Sequence, residues 1–212
     1  MNFNPISIPA VLVAITIHEY SHGWAANRLG DGTARYAGRL TLNPISHIDL
    51  FGTLMLVLVG FGWAKPVPVN PYNLKNPKTD MIWISLAGPL SNLILAFVIA
   101  KSYILLSPGS VPAMMSGWSQ SFLWFIIYTI QINIVLAWFN LIPIPPLDGF
   151  KILAGLLPVR HAAWLDKLEL YGPYVFMALI LSSFLTGFSI IGIMINPIIN
   201  LTMNWMLSPF GG

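Results

Sequence analysis

Residues 18–23, His18-Glu19-Tyr20-Ser21-His22-Gly23, follow the charge-free run of residues 6–17, ISIPAVLVAITI, and the two read together decide the fold. An ionisable side chain in an apolar segment of bilayer length is costly to keep there and marks a functional site by default. Here an imidazole, a carboxylate and a second imidazole stand at i, i+1 and i+4. Positions i and i+4 share one face of a helix, so both rings can meet a single ion. Glu19, about 100° around the helix from His18, can reach a water on that ion without being a ligand. The spacing is that of metal-assisted hydrolysis, set inside a hydrophobic helix.

The rest of the composition agrees with a membrane setting. The 212 residues are 56% hydrophobic and only 8% charged, with a mean hydropathy of +0.74, whereas soluble globular chains carry roughly 25% charged residues. The expectation is an α-helical integral membrane protein with the lipid bilayer as its surroundings. It would form one membrane-embedded domain over residues 1–212, with a core at about 5–157 and C-terminal helices at 171–208. The net charge of +3 comes with no basic cluster or stacking platform, which argues against nucleic acid as a partner. Without cysteine, any metal must be held by His, Asp or Glu. The opening MNFNPISIPA lacks a basic n-region and a small-residue cleavage site, so the first helix is expected to be retained.

In chain order, the first helix is expected at about 5–27, with Pro5 in its first turn. Residues 28–47 are the most polar stretch, and the partial alternation at 36–42 suggests a short strand. Residues 50–61 are too short to cross about 30 Å of hydrocarbon and fit a re-entrant or partly inserted element. Residues 62–76 contain Pro66, Pro68 and Pro71 and suit a loop or edge strand beside the site, completing a hairpin or β element after the first helix. Further spans are expected at 81–106 and 118–142, joined by the uncharged loop 107–117. Lys101 should snorkel from the last turns of the first of these. Residues 150–170 are polar and amphipathic. Residues 174–207 would make about 51 Å of unbroken helix, so two short helices broken near 186–189 are expected. The total is about five to six transmembrane helices.

Charge asymmetry supplies an orientation. Arg28, Arg35, Arg39, Lys65, Lys75 and Lys78 lie between the first helix and residue 81, and Lys151, Arg160 and Lys167 follow residue 142. With residues 50–61 re-entrant, every charged loop falls on one face, which should be cytoplasmic. His22 and His18 would then lie about 9 and 15 Å below that surface. A catalytic zinc usually has three protein ligands and a water, so a third ligand is needed. The candidates are Asp31, His47, Asp49, Asp80, Asp148, His161, Asp166 and Glu169. Asp148 stands out, because the prolines at 143, 145 and 146 break the preceding span and would leave it on extended backbone at membrane depth. Gly149 leaves room for close approach. His47 and Asp49 read instead as a polar cap before residue 50.

Paired with Asn140-Leu141-Ile142-Pro143-Ile144-Pro145-Pro146-Leu147-Asp148-Gly149, the 18–23 motif resembles the site-2 protease family of intramembrane zinc metalloproteases. The likeness extends to residues 38–44 (GRLTLNP), 61–70 (FGWAKPVPVN) and 86–89 (LAGP), and so covers most of the chain to about residue 157. It looks like a small prokaryotic member without the PDZ or CBS domains of larger relatives. The resemblance implies one zinc ion bound by His18, His22 and Asp148, with Glu19 as catalytic base. It implies that Asn140 helps hold the substrate or the oxyanion. It also implies single-span transmembrane proteins or peptides as substrates, in a prokaryotic cell membrane.

Two other classes compete. A metal transporter would need polar residues along several helices, and the middle spans offer few, among them Ser85, Ser91, Asn92, Gln131 and Asn133. A substrate-binding relative without activity is opposed by the intact Glu19.

Overall fold

The apolar run and the motif after it fold as one helix, α1 (Ser7–Arg28). The computed structural model describes residues 6–59, 62–106 and 117–208, so Pro5 and most of the 107–117 loop lie outside the described residues. The end of α1 is closed by the Leu29 N–H, which donates to the Ala25 and Ala26 carbonyls at 3.0 and 3.1 Å. Gly30 then turns the chain with φ 112, a conformation that glycine tolerates best. The short helix α2 (Thr33–Tyr36) and a 3-10 turn at Pro44–His47 lead to α3 (Leu50–Val59). A stretch without regular structure over residues 62–70, ending on the extended Asn70, runs into a 3-10 turn at Pro71–Asn73. The remaining elements are α4 (Pro77–Leu106), α5 (Gly117–Asn140), α6 (Asp148–Leu156), α7 (Ala162–Thr186) and α8 (Ile190–Leu207), with a 3-10 turn at Val159–His161 before α7.

No strand occurs among the described residues, which corrects the expected β element. At 36–42 the backbone spends its donors locally instead. The Gly38 N–H bonds to the Arg35 carbonyl and the Arg39 N–H to the Ala34 carbonyl, closing α2. Residues 62–70 carry no regular secondary structure. Pro66 and Pro68 have no N–H to give, while the Lys65 N–H bonds to the His47 carbonyl and the Val67 N–H to the Glu19 carboxylate.

Among the described residues, four helical stretches are long and apolar enough to cross a membrane: Pro77–Leu106, Gln120–Asn140, Val159–Thr186 and Ile190–Leu207. The expected five to six therefore stand at four by this measure. α1 is not among them, since its second half carries His18, Glu19, His22, Asn27 and Arg28. The ten residues of α3 make only about 15 Å of helix. Its start is capped by Asp49, whose carboxylate accepts from the Gly52 N–H at 2.8 Å, as the cap reading expected. The break in the C-terminal apolar stretch falls where expected. Gly187 ends α7 in the left-handed conformation (φ 71), and the Ser189 hydroxyl caps α8 by accepting from the Gly192 N–H at 3.0 Å. α7 starts earlier than expected, at Ala162, and takes in the polar residues before 171.

α1 packs on α4 and α5, and α8 packs on α4 and α5 in turn. Small residues let these backbones approach: Ala10 and Ala14 on α1 and Ala96 and Ala100 on α4, each pair at i, i+4, are wholly buried. Ile130 and Ile134 of α5 and Ile191, Ile195 and Ile199 of α8 fill the core beside them. Lys101 does not snorkel. It is buried, and its ammonium donates to the Ser208 carbonyl at 2.8 Å, where the terminal carbonyls of α8 attract a cation.

Candidate metal centre

Two chain segments, α1 and α6, meet to form a buried polar cluster. His18 and His22 come from one face of α1, and Asp148 is the first residue of α6. Asp148 thus starts a helix, while the extended residue is its neighbour Leu147 (ψ 158), which corrects the sequence-based expectation. The turn that carries it is held tight against the end of α5. A Cβ on Gly149 would collide with the carbonyl oxygens of Leu141 and Ile142, so only glycine permits that approach.

The donor atoms converge. His18 Nε2 and His22 Nε2 are 3.0 Å apart, and each lies 3.1 Å from Asp148 Oδ2. All three residues are buried, and among the described residues this is the group of His, Asp and Glu side chains gathered closely enough to hold a metal. The rings are pre-set for that task. His22 Nδ1–H donates to the Ile84 carbonyl at 2.7 Å, and His18 Nδ1–H to Asn92 Oδ1 at 2.6 Å. Both partners accept only, so both Nε2 lone pairs are left for an ion. The other Asp148 oxygen faces the half-exposed Lys151 ammonium at 3.7 Å. Two imidazoles and a carboxylate form the donor set of a catalytic zinc site with one position open. Donors around a tetrahedral zinc are about 3.3 Å apart given bonds of about 2.0–2.1 Å. The observed 3.0–3.1 Å needs only a few tenths of an ångström of opening.

Glu19 lies on the adjoining face of α1, where its Oε2 accepts from the Val67 N–H at 2.8 Å. The 62–70 stretch is thereby tied to the motif helix. Asn140, the last residue of α5, donates to the Leu136 carbonyl at 2.9 Å. The other candidate ligands have different employment. Asp80 accepts from the Asn76 N–H, His47 is buried with Nε2 on the Thr41 carbonyl, and His161, Asp166 and Glu169 sit at or near the start of α7.

Three contributors were not tied to the His18–Glu19–His22 group from sequence: Gly88, Asn92 and Val67. Gly88 lies so close to the site that a Cβ there would strike His22 Nε2. Asn92 was legible only as a polar residue inside a span, the signal that does mark function in a membrane.

The family model for peptidase family M50 matches residues 6–119 and 106–183. The chain belongs to peptidase family M50. "Putative zinc metalloprotease YwhC" of Bacillus subtilis is 41% identical over 84% of this chain and 81% of its own length. "Putative zinc metalloprotease MJ0611" of Methanocaldococcus jannaschii is 31% identical over 70% of this chain and 69% of its own. "Putative zinc metalloprotease Rip2" of Mycobacterium tuberculosis strain Erdman is 33% identical over 76% of this chain and 64% of its own length. No solved structure shows a significant match. The M50 assignment bears out the site-2 protease resemblance, and the His18, His22 and Asp148 group is one that could hold a metal ion such as the zinc carried in those relatives' names.

A separate polar knot positions the M50 motif helix against the 62–70 stretch. Asp31 is fully buried, and its carboxylate accepts from Thr33 N–H and Oγ1–H, Asn70 N–H and Asn73 Nδ2–H at 2.5–3.1 Å. Burial alone would raise its pKa, but the bonds from Thr33, Asn73 and Asn70 outweigh this and hold it below the usual carboxylate value. The stability it supplies is therefore complete above the ordinary carboxylate pKa and is lost as pH falls through the lower folded-state value. Asp31→Ala should destabilise the protein by about 3 kcal/mol, since several buried donors lose their acceptor. Thermal melting in detergent at neutral pH measures this, and the gap from wild type should narrow in acid.

Proposed function

We propose that this chain is an intramembrane zinc metalloendopeptidase that cuts peptide bonds within or near the transmembrane segments of single-span membrane proteins or peptides. The observation that carries the reading is a buried His18–His22–Asp148 group, with Glu19 beside it, inside a bundle of membrane-length helices. Zinc bound there would acidify water and polarise the scissile carbonyl. Glu19 takes the proton from the attacking water and later delivers it to the leaving amine. The Val67 N–H holds one Glu19 oxygen and leaves the other for water. The Asn140 amide spends one N–H on Leu136 and has a second for the developing oxyanion.

The substrate must present an extended peptide, because a helical one buries its scissile bond in its own hydrogen-bond ladder. Residues 62–70, which belong to no helix and expose Pro66 and Pro68, are the segment beside Glu19 that could take it up. α1 crosses as a fifth span, and α3 with the stretch after it enters the bilayer only part-way. The Lys and Arg residues of the loops after α1 and α5 support a site nearer the cytoplasm of a prokaryotic cell membrane. Transport is the poorer reading, since Asn92 and Asn133 hydrogen-bond each other and do not line a path.

The test is cleavage of a single-span substrate by the pure protein in lipid vesicles. Stripping zinc with a chelator should lower the rate at least about a hundredfold, and added zinc should restore it. Cleavage that persists in the zinc-free protein would rule out the mechanism.

A further inference from the structure

We propose that Asn92 and Asn133 form an amide relay that holds the His18 ring in the tautomer able to bind zinc. Both residues are completely buried in apolar spans, where a polar side chain is costly unless fully hydrogen-bonded. An amide presents oxygen or NH2 with nearly the same shape, so the end facing His18 is selected by what the other end meets. The NH2 of Asn92 meets two acceptors, the Ala14 carbonyl at 2.9 Å and Asn133 Oδ1 at 2.7 Å. Asn133 is itself oriented, because its own NH2 donates to the Thr129 carbonyl at 2.7 Å. Only one arrangement satisfies all of these bonds, and it turns Asn92 Oδ1 toward His18 Nδ1.

The consequence reaches the metal. An acceptor at Nδ1 places the imidazole proton there and leaves Nε2 bare. Nε2 is the atom that meets His22 and Asp148. A reversed Asn92 amide would favour the tautomer with Nε2 protonated, which cannot ligate. His22 needs no relay, since the Ile84 carbonyl that fixes it is backbone and cannot reverse. One ligand is thus set by the main chain of α4, and the other by side chains from α4 and α5. Asn92 and Asn133 are positioning residues.

This inference rests on zinc binding by His18, and the experiment separates the two. Zinc affinity is read by chelator competition in detergent, alongside the melting temperature of the metal-free protein. Asn92→Leu should weaken zinc binding by about 10–100-fold and Asn133→Leu by about tenfold. Asn133→Asp should bind within about threefold of wild type. Its carboxyl would stay protonated in this apolar setting, accepting from Asn92 and donating to Thr129. Should Asn133→Leu not fold, Asn133→Ala should show the same loss without the bulk. If His18→Ala still bound zinc normally, the metal centre itself would be misassigned. If His18→Ala lost zinc while Asn133→Leu, or Asn133→Ala in its place, kept wild-type affinity, the relay would be refuted. Equal weakness in Asn133→Asp and Asn133→Leu, or a loss confined to the metal-free melting temperature, would also overturn it.

Discussion

Glu19→Gln should keep its zinc and lose its chemistry. The ligands His18, His22 and Asp148 are untouched, so zinc affinity should stay within about twofold of wild type, while cleavage falls about 10²–10⁴-fold, the usual loss with a general base. The structure explains why a near-isosteric amide cannot substitute. The Val67 N–H is a donor aimed at Oε2 from 2.8 Å, so a glutamine here turns its oxygen to Val67. Its NH2 then faces the site, where it can neither accept a proton nor return one. The swap therefore installs a donor where a base is needed. Measuring zinc content and cleavage on the same preparation decides the matter, and a variant that still cut at the wild-type rate would move the base elsewhere.

The motif helix and the convergence of its two histidines were legible because the signal is local. His18 and His22 lie one turn apart, and helical geometry alone brings them together. Asp148 was legible less directly, through a proline-broken span with one carboxylate behind it, and the M50 family match covers that segment. What sequence could not supply was contact between distant helices. Asn92 meets His18 across 74 positions, and the Val67 N–H meets Glu19 across 48. Neither pairing has a periodicity to betray it. The strand expected at 36–42 failed for a different reason. Partial alternation shows only that a stretch could pleat, and here no neighbouring strand competed with the local bonds that close α2. Lys101 shows the limit of treating a bilayer as uniform. Snorkelling assumes that water is the best partner within reach, whereas the C-terminus of α8 brought carbonyls closer.

The substitution that should do most damage without touching a ligand is Gly88→Ala. Gly88 sits in α4 one residue before Pro89, within the LAGP run at residues 86–89. In the structure it packs against the metal centre itself. An added Cβ would press on His22 Nε2, and would lie 2.6 Å from His22 Cε1 and 2.7 Å from His18 Cε1. Contacts so short force something to move. If the rings turn, the 2.7 Å bond from His22 to Ile84 breaks and the Nε2 lone pairs no longer converge. If α4 backs away instead, it pulls Asn92 from Ala14 and His18, and parts the close contacts that Ala96 and Ala100 allow. Overpacking of this kind costs about 1–3 kcal/mol of stability. The larger effect should fall on the metal, with zinc affinity reduced about a hundredfold or more, as expected when ligand geometry is lost. Cleavage should fall with zinc occupancy and recover in part when zinc is raised. That recovery separates Gly88→Ala from Glu19→Gln, whose loss no amount of zinc can repair. A Gly88→Ala protein with wild-type zinc affinity would show that the contact of α4 with the His18 and His22 rings does not govern metal binding.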